Sequence, residues 1–262
     1  MPPLSNADSF PAHLADEASS DLTFSPSVNS ENWSGYSVNG PSIPYRAVSA
    51  RFVVPSLRAS SSSLCASAAY AGWIGLGGRS TGNLAQIGIS SMPGSTQTNI
   101  FEMVCSGSSG CFDVLTNFSN LKYKTGDQLE FTLIFSPTPT LGARSGIFTT
   151  TVTNISGGVA PGPFTSSLSL PNATDFYDGS SADWIDEAPS NANGTVYPLA
   201  DFGHTLWSSA RVLDEPSRTW RSLASENETR IFMVDYITAY VMASPDPLSS
   251  LASFVDVFLS CR

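Results

Sequence analysis

Residues 128–135 alternate with a period of two. Leu129, Phe131, Leu133 and Phe135 are interleaved with Gln128, Glu130, Thr132 and Ile134. That period places the first four side chains on one face of a strand and predicts a sheet with one side on a core. Gly126–Asp127 immediately before it is a turn signal. The same reading predicts strands over 47–54 (ended by Pro55), 70–78, 84–92, 98–105, 146–154, 230–241 and 252–260. Shorter apolar pieces follow at 196–203 and 205–207, and 157–170 reads as short, irregular strands. No stretch holds a 3.6-residue period long enough to prefer a helix. About ten short strands separated by turn signals predict an all-β sandwich or barrel.

The other patterns set the boundaries. Residues 1–30 are polar without periodicity and read as a disordered arm or a pro-segment remnant, leaving 31–262 as one domain. There is no fixed-period repeat and no shift of composition. The chain has 262 residues, 41% of them hydrophobic, enough for one sizeable core. Charged residues are only 13% and the formal net charge is −10. Nothing on such a surface neutralises phosphates, which excludes nucleic acid as a partner. No apolar run is long enough for a transmembrane helix, so no membrane partner is expected. Few charges also leave few ion pairs to lose in acid.

The four cysteines are Cys65, Cys105, Cys111 and Cys261. Cys105 and Cys111 flank a Ser/Gly loop that a disulfide can close. The remainder would join Cys65 to Cys261, although four cysteines allow three connectivities. Six Asn-x-Ser/Thr sequons occur, at Asn32, Asn117, Asn154, Asn172, Asn193 and Asn227. Disulfides and sequons together predict a secreted, extracellular glycoprotein. The first residues lack a signal peptide's basic and apolar regions.

Candidate chemistry centres on residues 181–189, Ser-Ala-Asp-Trp-Ile-Asp-Glu-Ala-Pro. As a strand it places Asp183, Ile185 and Glu187 on one face and Trp184 and Asp186 on the other. A carboxyl group among apolar neighbours is desolvated, which raises its pKa toward acid–base use. Only His13 and His204 exist, so a histidine-rich metal site is excluded. There is no Gly-x-Ser-x-Gly elbow and no pair of Asp-Thr-Gly motifs. What remains are polar groups in apolar strands: Gln86, Glu102, Asp183, Asp186 and Glu187.

Taken in order, Asn32–Trp33–Ser34–Gly35, Trp73–Ile74–Gly75–Leu76–Gly77–Gly78, Gln86–Ile87–Gly88, Phe101–Glu102, Gly126–Asp127, Ala182–Asp183–Trp184–Ile185–Asp186–Glu187 and Ala200–Asp201–Phe202–Gly203 resemble the glutamic peptidases (eqolisins) of the scytalidoglutamic-peptidase type. The resemblance implies a single-domain sandwich of two curved antiparallel sheets, concanavalin-like, with its active site on a concave face. It implies an acid endopeptidase acting as a monomer on proteins or peptides, without metal or cofactor. The family's catalytic Gln falls on Gln86 and its catalytic Glu on Glu187. Its substrate-side residues fall on Trp33, Trp73 and Glu102. Glu102 lacks the family's aromatic neighbours, having Phe101, Met103 and Val104 instead. An aspartate common after the Trp is absent from Gly75–Leu76–Gly77–Gly78, and Ser90 stands where an acid often follows the Gln strand.

On this reading Glu187 takes a proton from the attacking water and returns it to the leaving nitrogen. Gln86 donates to the tetrahedral oxyanion. An unperturbed carboxyl, pKa about 4, sets the expected base. Two rivals stand beside it. One is a sandwich-fold glycoside hydrolase using Asp183 and Glu187 as its carboxyl pair. The other is a non-catalytic carbohydrate-binding sandwich with Trp33, Trp73 and Trp184 as platforms.

Overall fold

The computed structural model describes residues 26–39, 45–59, 62–79, 83–106, 110–114, 121–138, 142–156, 164–169, 177, 179–191, 193–215 and 217–261. The strands are β1 (Ser27–Ser30), β2 (Trp33–Asn39), β3 (Tyr45–Val53), β4 (Tyr70–Gly77), β5 (Leu84–Ser91), β6 (Thr98–Ser106), β7 (Gly110–Val114) and β8 (Gln128–Thr138). They continue with β9 (Gly142–Asn154), β10 (Phe164–Ser169), β11 (Ser181–Glu187), β12 (His204–Asp214), β13 (Trp220–Ser222), β14 (Glu228–Asp235), β15 (Tyr240–Pro245) and β16 (Phe254–Phe258).

Hydrogen bonding runs in the order β10-β9-β8-β3-β12-β16-β15-β14-β2-β11-β4-β5-β6-β7. All named strand pairs are antiparallel except β1 with β14. The sheet curls so that two leaves face each other. β3 lies against β4 and β11, and β8 against β4 and β5. β15 and β16 carry the hydrogen bonding from one leaf to the other. The expected sandwich is therefore one continuous curled sheet. The main core lies between the leaves, where Tyr36, Ile74, Ile87, Trp184, Phe52, Phe131 and Trp207 are fully or almost fully buried.

Three differences from the sequence reading have identifiable causes. Residues 27–30, expected in the arm, form β1, whose Ser27 to Ser30 pair with Arg230 to Met233 of β14; residues 1–25 lie outside the described residues. The single strand expected over 230–241 is a hairpin of β14 and β15. Its turn contains neither Gly nor Pro. Asp235 forms it instead, accepting from the Ile237 backbone N–H at 2.9 Å and the Thr238 hydroxyl at 2.6 Å, while Ala239 takes a φ of 58°. β12 runs to Asp214, well past 207, through a register shift beyond Ser208.

The cysteines pair as Cys65–Cys261 and Cys105–Cys111. Of the sequons, Asn193 and Asn227 are exposed, whereas Asn154 is buried and donates to the Lys122 carbonyl and the Asp127 carboxylate, both at 2.9 Å. Asn117 and Asn172 lie outside the described residues.

Candidate active site

The register of β2, β11, β4, β5 and β6 decides which side chains meet. One row across these strands is Trp33, Glu187, Ala71, Ser90, Asn99. Two residues further along comes Gly35, Ile185, Trp73, Gly88, Phe101, and then Ser37, Asp183, Gly75, Gln86, Met103. Period-2 alternation puts all three rows on one face of the sheet. The rows between them, which contain Asp186 and Ile89, then Trp184, Ile87 and Glu102, face the opposite leaf. Glu187 and Gln86 thus share a face. They are not register neighbours: β4 separates them, and Glu187 is level with Ser90 rather than Gln86. The curl of the sheet brings both to the wall of one cleft of about 950 Å³.

Glu187 ends β11 and keeps a partial opening to this cleft. Its Oε2 accepts from the Trp73 indole at 2.6 Å and its Oε1 from the Asn32 amide at 3.0 Å. Asn32 is held in turn, because its backbone carbonyl accepts from Ala188 N at 2.9 Å. Burial pushes the Glu187 pKa up from 4.5 to about 7, and hydrogen bonds from Trp73, Trp33 and Asn32 restrain the rise. A base near 4 was expected; the observed pocket is drier than that. The sequence places Asn32 in a sequon and in the Asn32–Trp33–Ser34–Gly35 motif, and neither reading assigns it this contact with Glu187. Its amide nitrogen, the atom a glycan would occupy, is committed to Glu187.

Gln86 is almost fully buried in the cleft wall. Its Nε2 donates to the Met103 sulfur at 3.2 Å, and its Oε1 is buried without a partner. A buried amide oxygen left bare costs free energy unless a ligand or water completes it. Sulfur is a weak acceptor and takes only one of the two N–H groups. The carbonyl is thus the open hydrogen-bonding position of this amide in the cleft wall.

Trp73 is fully buried and packs edge-on against the half-buried Trp33, with ring centroids 5.1 Å apart. Two glycines make room for it. A Cβ on Gly75 would stand 2.7 Å from the Trp73 ring, and one on Gly88 would stand 2.1 Å from the Gly72 carbonyl and 2.6 Å from Trp73 Cβ. Gly88→Ala should therefore force β4 and β5 apart and destabilise the fold by about 1–3 kcal/mol. A urea melt checks this: the midpoint should fall at unchanged slope. An unchanged midpoint would show that the close approach of the two strands is dispensable.

Glu102 borders the same cleft from a different register row. It touches the cleft wall through a fully buried position, and its register partner Ile87 belongs to the core between the leaves. The alternation that sends Gln86 and Met103 to the cleft turns Ile87 to the opposite leaf, while Glu102, in the row of Ile87, still reaches the cleft wall. Asp183 lies on the cleft face yet is completely buried, with Oδ2 accepting from the Ser181 hydroxyl at 3.0 Å. Desolvation raises it to about 7, restrained by Ser37, Ser181 and, more distantly, Arg79. It does not line the cleft, so the carboxyl pair of the glycosidase rival is not presented to substrate. Trp73 and Trp184 are fully buried, which removes the aromatic row that the carbohydrate-binding rival requires. Among the described residues no group of three or more His, Cys, Asp or Glu is placed to hold a metal ion, and no helix is long and apolar enough to cross a membrane.

Comparison with solved structures returns the same fold. SCP-B, an eqolisin peptidase solved in complex with the tripeptide Ala-Ile-His, superposes with a TM-score of 0.60 at 17% identity, covering 87% of this chain and 98% of that one. Aspergilloglutamic peptidase from Aspergillus niger superposes with a TM-score of 0.53 at 18% identity, covering 73% and 99% respectively. No curated protein matches the sequence. Residues 31–238 match the Peptidase A4 family, a span that contains every side chain placed in the cleft above. The chain belongs to that family and is a glutamic endopeptidase.

Proposed function

We propose that Glu187 and Gln86 form the dyad with which this chain hydrolyses peptide bonds. The observation that carries the proposal is the pairing, in one cleft, of a desolvated carboxyl group and a buried amide whose carbonyl has no partner. Ionised Glu187 takes a proton from a water, and the water attacks the scissile carbonyl. The free N–H of Gln86 stabilises the oxyanion, and Glu187 then returns the proton to the departing nitrogen, so that the proton is conserved over the cycle. The bare carbonyl of Gln86 orients the attacking water. Trp73, Trp33 and Asn32 hold Glu187 still. The Cys65–Cys261 and Cys105–Cys111 bridges support an extracellular site of action on protein or peptide substrates.

The test is digestion of a denatured protein from pH 3 to 8, beside a polysaccharide panel, with and without pepstatin. Peptide cleavage is expected, with the polysaccharides untouched and pepstatin, which is aimed at paired aspartates, without effect. Gln86→Glu should lower kcat by about 10²–10³-fold, the loss seen when one oxyanion donor is removed. Wild-type turnover in that variant would remove Gln86 from the mechanism.

A further inference from the structure

The cleft does not end at Glu187. Tyr197 forms part of its wall and also lines a second depression of about 400 Å³. Glu31 lines this depression, and its chain neighbour Asn32 lines the cleft. We propose that this depression is an extended substrate subsite, on the Glu187 side of the scissile bond, that takes an apolar side chain of the polypeptide being cleaved. The inference rests on the peptidase reading above.

Three features argue for a built surface. Its floor and walls are apolar: Leu64, Val196, Pro198, Ile237 and the buried Met242. One wall is anchored by the Cys65–Cys261 bridge, which ties the 3₁₀ turn Ser63–Cys65 carrying Leu64 to the end of the chain. The opposite wall is the turn between β14 and β15, where Ile237 is 96% exposed. That turn is held by Asp235 and by the bond from Ala239 N to the Asp235 carbonyl at 2.7 Å. An isoleucine fixed almost wholly in water, in a turn that forces a left-handed alanine, contributes nothing visible to the fold. It does supply apolar area to a chain lying in the groove. Continuity with the cleft selects the occupant, because Tyr197 lines both and Asn32 of the cleft is followed back along the chain by Glu31 of the depression, so a substrate extending past Glu187 across Tyr197 reaches this surface. Glu31 at the rim sets a second preference, disfavouring an acidic residue beside the apolar one.

The experiment compares two peptides with the same scissile bond. One ends at the cleft; the other extends past it with a leucine placed to reach the depression. In the wild type the long peptide should show a kcat/KM about tenfold higher, mostly through KM, the gain expected from burying one aliphatic side chain. Ile237→Asp should collapse that ratio toward one. A ratio near one in the wild type, or a ratio unmoved by Ile237→Asp, overturns the subsite. Binding of both peptides to Glu187→Gln, followed by fluorescence anisotropy, separates this inference from the chemistry. If the wild type cleaves neither peptide yet the long one binds more tightly in an Ile237-dependent way, the groove stands and the dyad falls. If both are cleaved at equal kcat/KM, the dyad stands and the groove falls.

Discussion

Glu187→Gln should lower kcat by about 10³-fold, within the range for a positioned general acid–base, and leave the fold intact. The substitution is nearly isosteric. Glutamine can still accept from the Trp73 indole through its carbonyl. Its new N–H₂ would face the Asn32 amide, but Asn32 can turn its own carbonyl toward it and restore the bond lost from Oε1. The Trp73 and Asn32 contacts are kept, and a thermal melt matching the wild type in acid would separate the lost activity from unfolding. The raised pKa provides a second readout. In the folded state Glu187 holds its proton to about 7, against 4.5 unperturbed. The rising limb of kcat/KM against pH, which reports the base of the free enzyme, should therefore climb through weakly acidic pH and not level off near 4. The stability effect has a definite sign. The contribution of protonated Glu187 is fully present below pH 4.5 and is lost as pH rises toward 7, so the variant should melt with the wild type in acid and above it at neutral pH. Retained turnover, or a rising limb already complete at pH 4.5, would remove Glu187 as the base.

β11 shows how much of the site could be read from residue order. Strict alternation over Asp183 to Glu187 correctly assigns Glu187 and Asp183 to one face and Asp186 to the other. Alternation does not say which face meets solvent, because both faces of this strand are almost entirely buried, and so Asp183 looked reachable although it is not. Glu102 shows the same limit of alternation. The resemblance makes it a substrate-side residue; β5 and β6 pair Gln86 with Met103 and Ile87 with Glu102, so its register row faces the opposite leaf although Glu102 still borders the cleft. The hairpin at Asp235 was invisible because an aspartate side chain replaces the Gly or Pro that marks most turns. Asn32 is legible as a sequon and as the first residue of the Asn32–Trp33–Ser34–Gly35 motif, but nothing local shows that its amide faces a carboxylate 155 residues away.

Neutralisation should destabilise the protein, and Asp256→Asn should remove much of that sensitivity. Asp186 of β11 and Asp256 of β16 are both completely buried and hydrogen-bonded to each other between the leaves. Asp186 is surrounded by donors: the Tyr70 hydroxyl, the Thr205 hydroxyl at 2.7 Å and the Trp207 indole at 2.9 Å. Asp256 accepts from the Ser34 hydroxyl at 2.9 Å, and its Oδ2 has no donor. A proton on that oxygen, donated to Asp186, accounts for the arrangement: Asp186 is the ionised partner and Asp256 the neutral one. Burial and the charge of Asp186 push Asp256 well above the ordinary carboxyl range, and burial raises Asp186 against its three donors. The folded protein therefore keeps protons that the unfolded chain releases near pH 4. Stability from the pair is complete below that pH and is lost as pH rises toward the folded pKa, at about 1.4 kcal/mol per pH unit for each proton retained. Glu187 and Asp183 add to the same trend up to about 7. In Asp256→Asn the side-chain amide donates to Asp186 without a titrating proton and its carbonyl still accepts from Ser34. The fall in melting temperature between pH 4 and 8 should flatten, with little change at pH 4. Asp186→Asn has no such solution: an N–H₂ at Oδ2 would meet the donor-only Trp207 indole, and at Oδ1 it would make Tyr70 accept and lose the bond its own hydroxyl donates, so about 3–5 kcal/mol should be lost at all pH values. Equal behaviour of the two variants, or an undiminished pH slope in Asp256→Asn, would show that the two carboxyl groups do not share a proton. If they do, opposite demands set the working range, since Glu187 gains the ionised form needed for catalysis as pH rises while the joint between the leaves loses the proton that holds it.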